Sequence, residues 1–261
     1  MTEWNAAAYA KQSALQKWLA DECIAGLDLV GVQRVLDIGC GDGKITAEIA
    51  GRLERGSVLG VDPSTQMIDF ARKQFVPSHT NLAFEVGDAR RLGFREEFDL
   101  VVSFNALHWV PEQRAALACI RAALTPAGRA VLQFVPQGER KSLEDVLEEV
   151  RRAPRWAGYF ADYRRPFVHV ETDEYAAMLA DGGLQLDRFD VQLKAWDFGS
   201  RDAFVHFAQV TFVEWTRMLP PESHPAFIAD VLDAYRALGD GTPADANFFH
   251  FYQMRVVLRR A

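Results

Sequence analysis

The chain has 261 residues, 49% of them apolar and 25% charged, the balance of an ordinary globular protein. Basic residues number 29 and acidic ones 36, a net charge of −7. That balance excludes a general affinity for nucleic acid, which is built on neutralising phosphates. The chain also lacks a run of about 18 apolar residues, its opening Met1-Thr-Glu-Trp-Asn is unlike a signal peptide, and Cys23, Cys40 and Cys119 form no Cys-x-x-Cys pair. The expectation is a cytoplasmic protein with reduced thiols, no membrane span and no metal, folded as one α/β domain over residues 1–261.

Residues 4–25 carry Trp4, Ala8, Tyr9, Leu15, Trp18, Leu19 and Ile24 with polar groups between, which predicts an amphipathic helical segment within residues 1–28. Tyr9, Gln12 and Gln16 fall on one face of it. Either a helix packed on the edge of a sheet or a lid over a ligand fits that pattern.

The stretch Val35-Leu-Asp-Ile-Gly-Cys-Gly-Asp-Gly43 predicts a buried strand running into a glycine turn, and Lys44 to Leu53 has helical spacing. This layout brings backbone N–H groups and a helix N-terminus up to a ligand. A dinucleotide fingerprint, Gly-x-Gly-x-x-Gly, would need glycine where Lys44 stands. The pattern is instead Asp37-x-Gly39-x-Gly41-x-Gly43, and an acid at the strand end suits a ligand with a cationic amino group.

Gly56 to Asp62 predicts a second strand ending in an acid. Asp62 lies about 20 residues beyond the turn, the spacing at which a carboxylate takes a ribose diol. Pro63 and Ser64 open the following helix, with Met67 in its first turn. Leu82 to Asp88 predicts a third strand, again ending in an acid and followed by Ala89. Phe98 to Phe104 is the most continuous apolar strand, and it delivers Asn105-Ala-Leu-His108-Trp109-Val110 to the strand end where open α/β sheets bind ligands. A helix over 111–124, a turn over 125–128 and a strand over 129–134 follow.

Beyond this point the alternation breaks. A charged helix is predicted over 141–153, then the aromatic stretch Arg155 to Phe167, a helix over 172–182 and a strand over 184–198. Two amphipathic helices, 201–217 and 223–238, flank Pro220-Pro221, and a last strand covers about 247–258. The sum is a Rossmann-like α/β sheet of seven strands, mostly parallel with the last antiparallel. Helical cap insertions at about 140–170 and 200–240 would cover its ligand edge.

The glycine turn with acids Asp37, Asp62 and Asp88 closing successive strands resembles the class I S-adenosylmethionine (SAM)-dependent methyltransferases over about residues 30–135. The resemblance implies SAM as cofactor, contacted by Tyr9, Gln12, Asp37, Gly39, Gly41, Asp62, Pro63, Ser64, Met67, Asp88, Ala89 and Asn105. It implies that Asp88 receives the adenine amino group and that Ala89 leaves room for the ring. A narrower resemblance reaches further. Tyr9 to Gln16, Ser103 to Arg114 and Arg155 to Asp162 are similar to segments of the juvenile-hormone-acid methyltransferases, and the opening Glu-Trp-Asn to trans-aconitate methyltransferases. Both groups methylate carboxylates. The hormone-acid group implies that Gln16 and Trp109 hold the substrate carboxylate, and the aromatic cap around Trp156, Tyr159, Phe160, Tyr163 and Phe167 departs from a hydrophilic tricarboxylate pocket.

The chemistry implied is a methyl ester formed on a small, partly hydrophobic carboxylic acid. A carboxylate with a pKa of ~4 is already ionised, so it needs alignment and exclusion of water rather than a base. His108, with an ordinary pKa of about 6.5, supports an alternative: a base for methylation of a natural-product hydroxyl, carbon or amine. A binding module without catalysis, its cap facing a partner protein, is a third reading. The Asn-Pro-Pro-aromatic motif of DNA adenine methylases is missing after the fourth strand, which disfavours macromolecular substrates.

Overall fold

The computed structural model describes residues 13–239 and 247–261. Tyr9 and Gln12 lie outside the described residues. Gln16 is on the first helix, α1 (Ser13–Ala25), with its side chain outside the description.

Seven strands form one sheet in the order β3-β2-β1-β4-β5-β7-β6. They are β1 (Arg34–Ile38), β2 (Ser57–Asp62), β3 (Leu82–Val86), β4 (Phe98–Phe104), β5 (Leu124–Phe134), β6 (Leu184–Asp197) and β7 (Phe248–Arg260). The first five are parallel, and β7 is antiparallel to both β5 and β6. Because β1 sits between β2 and β4, the chain reverses direction across the sheet there, and ligands of open α/β sheets bind at such a switch point.

Apolar residues on both faces of the central strands require a layer on each side. One layer packs α1, α2 (Lys44–Gly51) and α3 (Thr65–Phe75) through Ile24, Ile49 and Ile68 onto Val35, Leu100 and Val102. The opposite layer packs α4 (Gln113–Ala123) and α6 (Thr172–Asp181) through Leu117, Ile120, Tyr175 and Leu179 onto Leu36, Val101 and Leu132. A third core is built by α5 (Leu143–Val150), the short turn Ala157–Phe160, α7 (Arg201–Thr211), α8 (Val213–Thr216) and α9 (His224–Arg236), around Trp156, Phe204, Trp215 and Phe227.

Two expectations are corrected in detail. Strand β5 starts at Leu124 rather than at 129: Leu124 pairs with Phe98 and Arg129 with Leu100, so the expected turn 125–128 is an irregularity inside the strand. The helix expected over 201–217 is interrupted at Phe212, whose buried ring belongs to the third core.

Candidate active site

Strand β1 ends in a turn held by the neighbouring strand, since the N–H groups of Gly39 and Cys40 both donate to the Val61 carbonyl (2.8 and 3.1 Å). Gly39, Gly41 and Gly43 have φ of 76°, 54° and 81°, the left-handed region that only glycine enters without cost. A Cβ on Gly39 would stand 2.2 Å from the Ala106 Cβ, whereas one on Gly41 would meet no atom within 4 Å. The turn is therefore closed on one side by the end of β4 and open on the other. Its open side faces a cavity of about 430 Å³, a size suited to a cofactor or drug-sized ligand.

Asp62 ties this turn to the next. Its carboxylate accepts from Gly41 N (3.0 Å) and Ser64 N (2.9 Å), which fixes it at the cavity wall beside Pro63, Ser64 and Met67. Ser64 caps α3 by accepting from Met67 N, so Met67 is set at the wall by the helix start. Gly39, Gly41, Ala89 and Asn105 also line the cavity. Asn105 has φ of 54°, and its amide oxygen accepts from Gln253 of β7 (3.0 Å), so this strand end is braced across the sheet.

Asp37 differs from expectation. It stands one residue before the end of β1, is 2% exposed, and accepts from the Thr46 hydroxyl of α2 (2.7 Å) behind the turn. It does not line the cavity, and burial pushes its carboxyl up to about 7; Thr46 opposes the shift and the charge of Asp62 adds to it.

Asp88 lines the cavity, but its carboxylate is claimed by its neighbours. Arg90 donates to it from its backbone N (3.0 Å), Nε (2.9 Å) and Nη2 (2.7 Å), and Arg91 adds a longer contact. These bonds hold the carboxyl down at about 2. Arg90 also reaches Glu112 (2.8 Å) and itself lines the cavity, so the expected contact of Asp88 with an adenine amino group meets a guanidinium already in place.

His108 and Trp109 lie on a short turn, Leu107–Trp109, which the buried Gln113 pins by donating to the carbonyls of Leu107 and Val110 (2.6 and 2.7 Å). Both line the cavity. His108 is 5% exposed, its Nδ1 has no partner among the described residues, and burial with the nearby His169 lowers its pKa to about 3. A base for neutral pH is therefore not what this imidazole offers.

The cap residues are redistributed. Trp156, Tyr159, Phe160 and Tyr163 do not line the cavity. Trp156 donates to Asp230 (2.9 Å) and packs edge-on against Phe227, Phe160 joins the same core, and Tyr159 is exposed. The wall is built instead by Leu143 and Leu147 of α5, Phe207, Phe212 and Trp215 of α7–α8, and Phe249 with Phe251 of β7. Spacing carried a signal for these: Leu143/Leu147 at i, i+4 and Phe249/Phe251 at i, i+2 each present one face.

Among the described residues no group of three metal-ligating side chains converges, and no helix is long and apolar enough to cross a membrane. The open glycine turn, the strand-end carboxylate Asp62 and the cavity sit on a Rossmann-like sheet of the methyltransferase type. Comparison agrees. Residues 35–128 match the family described as a methyltransferase domain. The trans-aconitate 2-methyltransferase of Methylobacterium radiotolerans is 27% identical, with 92% of this chain and 90% of the relative covered. A candidate methyltransferase of Bacillus halodurans superposes with a TM-score of 0.63 at 16% identity, covering 92% of this chain and 97% of that one. Phosphoethanolamine N-methyltransferase 2 of Haemonchus contortus, solved with SAM, superposes at 0.58 with 16% identity over 92% of this chain and 53% of its own. Residues 35–128 thus match a methyltransferase domain within a fold shared with class I SAM-dependent methyltransferases, and these similarities support SAM as the methyl donor.

The residues present fit that donor: the wall leaves space beside Gly41, and Asp62 stands across the turn from it. When bound, SAM supplies a sulfonium methyl group to a nucleophile.

Proposed function

We propose that the acceptor is the carboxylate of a small, partly apolar organic acid, and that the product is a methyl ester. The observation that carries this reading is the state of His108. A hydroxyl or phenol acceptor must lose a proton, and the imidazole that borders the cavity is buried and held to about 3. A carboxylate comes already ionised. The similarity to a trans-aconitate methyltransferase along nearly the whole chain supports the same class of acceptor. The wall of Leu143, Leu147, Phe207, Phe212, Trp215, Phe249 and Phe251 argues for an acid with an apolar body rather than a tricarboxylate.

In this reading Tyr9, Gln12, Gly39, Gly41, Asp62, Pro63, Ser64, Met67, Asp88, Ala89 and Asn105 hold the cofactor. The indole of Trp109 and the amide of Gln16 orient the acceptor carboxylate without neutralising it. The aromatic wall excludes water, which keeps the carboxylate from being blunted by solvation. Glu144, on the same wall, favours a second reading in which the acceptor is an amine; Glu214 does so less, being held by Arg217 (2.9 Å).

The test is mass spectrometry of acids, matched alcohols, phenols and amines incubated with the full chain and methyl-labelled SAM. Base-labile label on apolar acids alone is the expected outcome. Label on amines alone transfers the bet to Glu144, and label on phenols or alcohols alone overturns the carboxylate reading.

A pH profile follows from the same site. The acceptor acid is ionised well below neutrality, and the depressed His108 stays uncharged there. Turnover of an acid at saturating SAM should therefore be flat from pH 6 to 8, and His108→Gln should keep that shape. Stability has a defined sign as well. Unfolded His108 takes up a proton near 6.5 while the folded group does not until about 3. This contribution to stability is thus full above the unfolded value and falls as pH drops through the interval. A rate rising through pH 6–7 and abolished in His108→Gln would count against the proposal.

A further inference from the structure

Behind the aromatic wall lies a buried charge that the reaction does not use. Glu148 of α5 has a side chain only 5% exposed. Its Oε2 accepts from Arg151 Nε and Nη2 (2.9 and 2.6 Å) and from Arg152 (3.1 Å), while Oε1 accepts from the Trp215 indole N–H (3.1 Å). A carboxylate this deep needs such partners, and taking one away leaves a buried group unsatisfied.

The bonds form a loop. The Arg151 guanidinium lies 4.4 Å over the Tyr163 ring, Tyr163 packs against Trp215 at 6.3 Å, and Trp215 returns to Glu148. Trp215 in turn meets Trp109 edge-on at 6.2 Å and Phe167 at 5.8 Å. The buried side of α5 thus does two things: Leu143 and Leu147 line the cavity, and Glu148, one residue on from Leu147, accepts the indole bond of Trp215.

We propose that Glu148 is a positioning residue that fixes the width of the acceptor end of the cavity by anchoring the Trp215 ring against Trp109. The proposal rests on reading that end of the cavity as the acceptor pocket, whatever the acceptor's chemistry. Glu148 touches neither acceptor nor cofactor. It acts through the indole, so its loss reaches acceptor recognition and leaves the glycine turn alone.

The test uses the full chain labelled with ¹⁵N-tryptophan, in which Trp215→Phe assigns the Trp215 indole signal. Glu148→Met removes the acceptor and keeps the length of the side chain. It should move that signal, speed its hydrogen exchange, and raise the acceptor KM roughly tenfold, as expected for one lost bond to a charged group, with kcat and SAM affinity little changed. Glu148→Gln with Arg151→Met keeps an oxygen for the indole without setting the amide NH2 against the Arg151 guanidinium, and should stay within about threefold of the parent, a rescue that a bulk-packing role does not give. If Glu148→Met fails to fold, Glu148→Met with Arg151→Met removes both charges and serves in its place. A folded variant with an unmoved indole signal, or with SAM affinity falling as far as acceptor recognition, overturns the proposal. The indole signal needs no acceptor, so it decides the matter even if no acid is turned over. Failure of the carboxylate reading is separate: the matched amines or alcohols are then methylated, and their KM is read instead.

Discussion

Asp62→Ala is expected to lower SAM affinity by about 100-fold or more, the equivalent of two hydrogen bonds to a charged group at about 1.5 kcal/mol each. The carboxylate spans two chain segments that have no covalent reason to stay together, accepting from Gly41 N in the first turn and Ser64 N in the second. Removing it leaves two N–H groups at a cavity wall without their acceptor and frees the glycine turn on its ligand side. In the proposed site the same group also receives the ribose hydroxyls of the cofactor. Binding and scaffold therefore fail together.

Asp62→Asn sharpens the test. An amide supplies only one oxygen, so its NH2 must face either Gly41 N–H or Ser64 N–H, donor against donor. A nearly complete loss with asparagine, although its shape is preserved, is the expected result of titration calorimetry with SAM. Affinity within threefold of the parent for both variants would remove Asp62 from the cofactor site.

Why this acid was legible in the sequence, and Asp37 was not, comes from the strands themselves. A glycine turn and a strand-end acid about 20 residues later are constrained by backbone geometry, so their meeting follows from topology. Asp37 precedes the strand end by one residue, and the pleat directs it to the helix layer, where Thr46 holds it. Asp88 was read as a strand-end acid, and it does reach the cavity. Nothing in the order Asp88-Ala89-Arg90 says that the guanidinium folds back on the carboxylate rather than into solvent.

The cap shows the same limit on a larger scale. Aromatic residues over 155–167 announce burial, which is what Trp156 and Phe160 have. Whether a buried ring faces another helix or a cavity depends on how three separate segments dock. Phe227 of α9 takes the rings of Trp156 and Phe160, and that contact spans some 70 residues of chain. The wall falls instead to α7–α8 and β7, whose aromatic residues read as ordinary core on periodicity alone. Gln113 was missed for a related reason: a glutamine at a helix start reads as solvent-facing, yet its amide holds the turn that carries His108 and Trp109.

Gly39→Ala and Gly41→Ala should separate the scaffold of the turn from its ligand face. Both impose a side chain on a left-handed residue, at a cost of about 1–2 kcal/mol. There the likeness ends. The new methyl on Gly39 would stand 2.2 Å from the Ala106 Cβ, far inside the about 3.5–4 Å at which carbon atoms rest, so the turn or the end of β4 must move by more than 1 Å. Both N–H bonds to Val61 resist that movement. The expected result is a stability loss of about 3 kcal/mol or more, within the range of overpacked cores with added backbone strain, and no measurable SAM binding. The methyl on Gly41 meets nothing within 4 Å. Its variant should lose only that strain of about 1–2 kcal/mol in stability, while the methyl intrudes on the cavity and weakens SAM binding by about tenfold or more. A denaturant melt and a SAM titration on each variant make the comparison. A compensating change closes the argument. With Ala106→Gly the offending Cβ is gone, and the nearest remaining atom of that residue, its Cα, lies 3.6 Å from the new methyl. Gly39→Ala in the Ala106→Gly background should therefore recover the steric part of the loss and keep only the strain, a coupling of about 1–3 kcal/mol between two residues 67 positions apart. If the double variant is as unstable as the sum of its parts, the glycine at 39 is required for its backbone angle alone, and the closure of the turn against β4 plays no part in shaping the cofactor site.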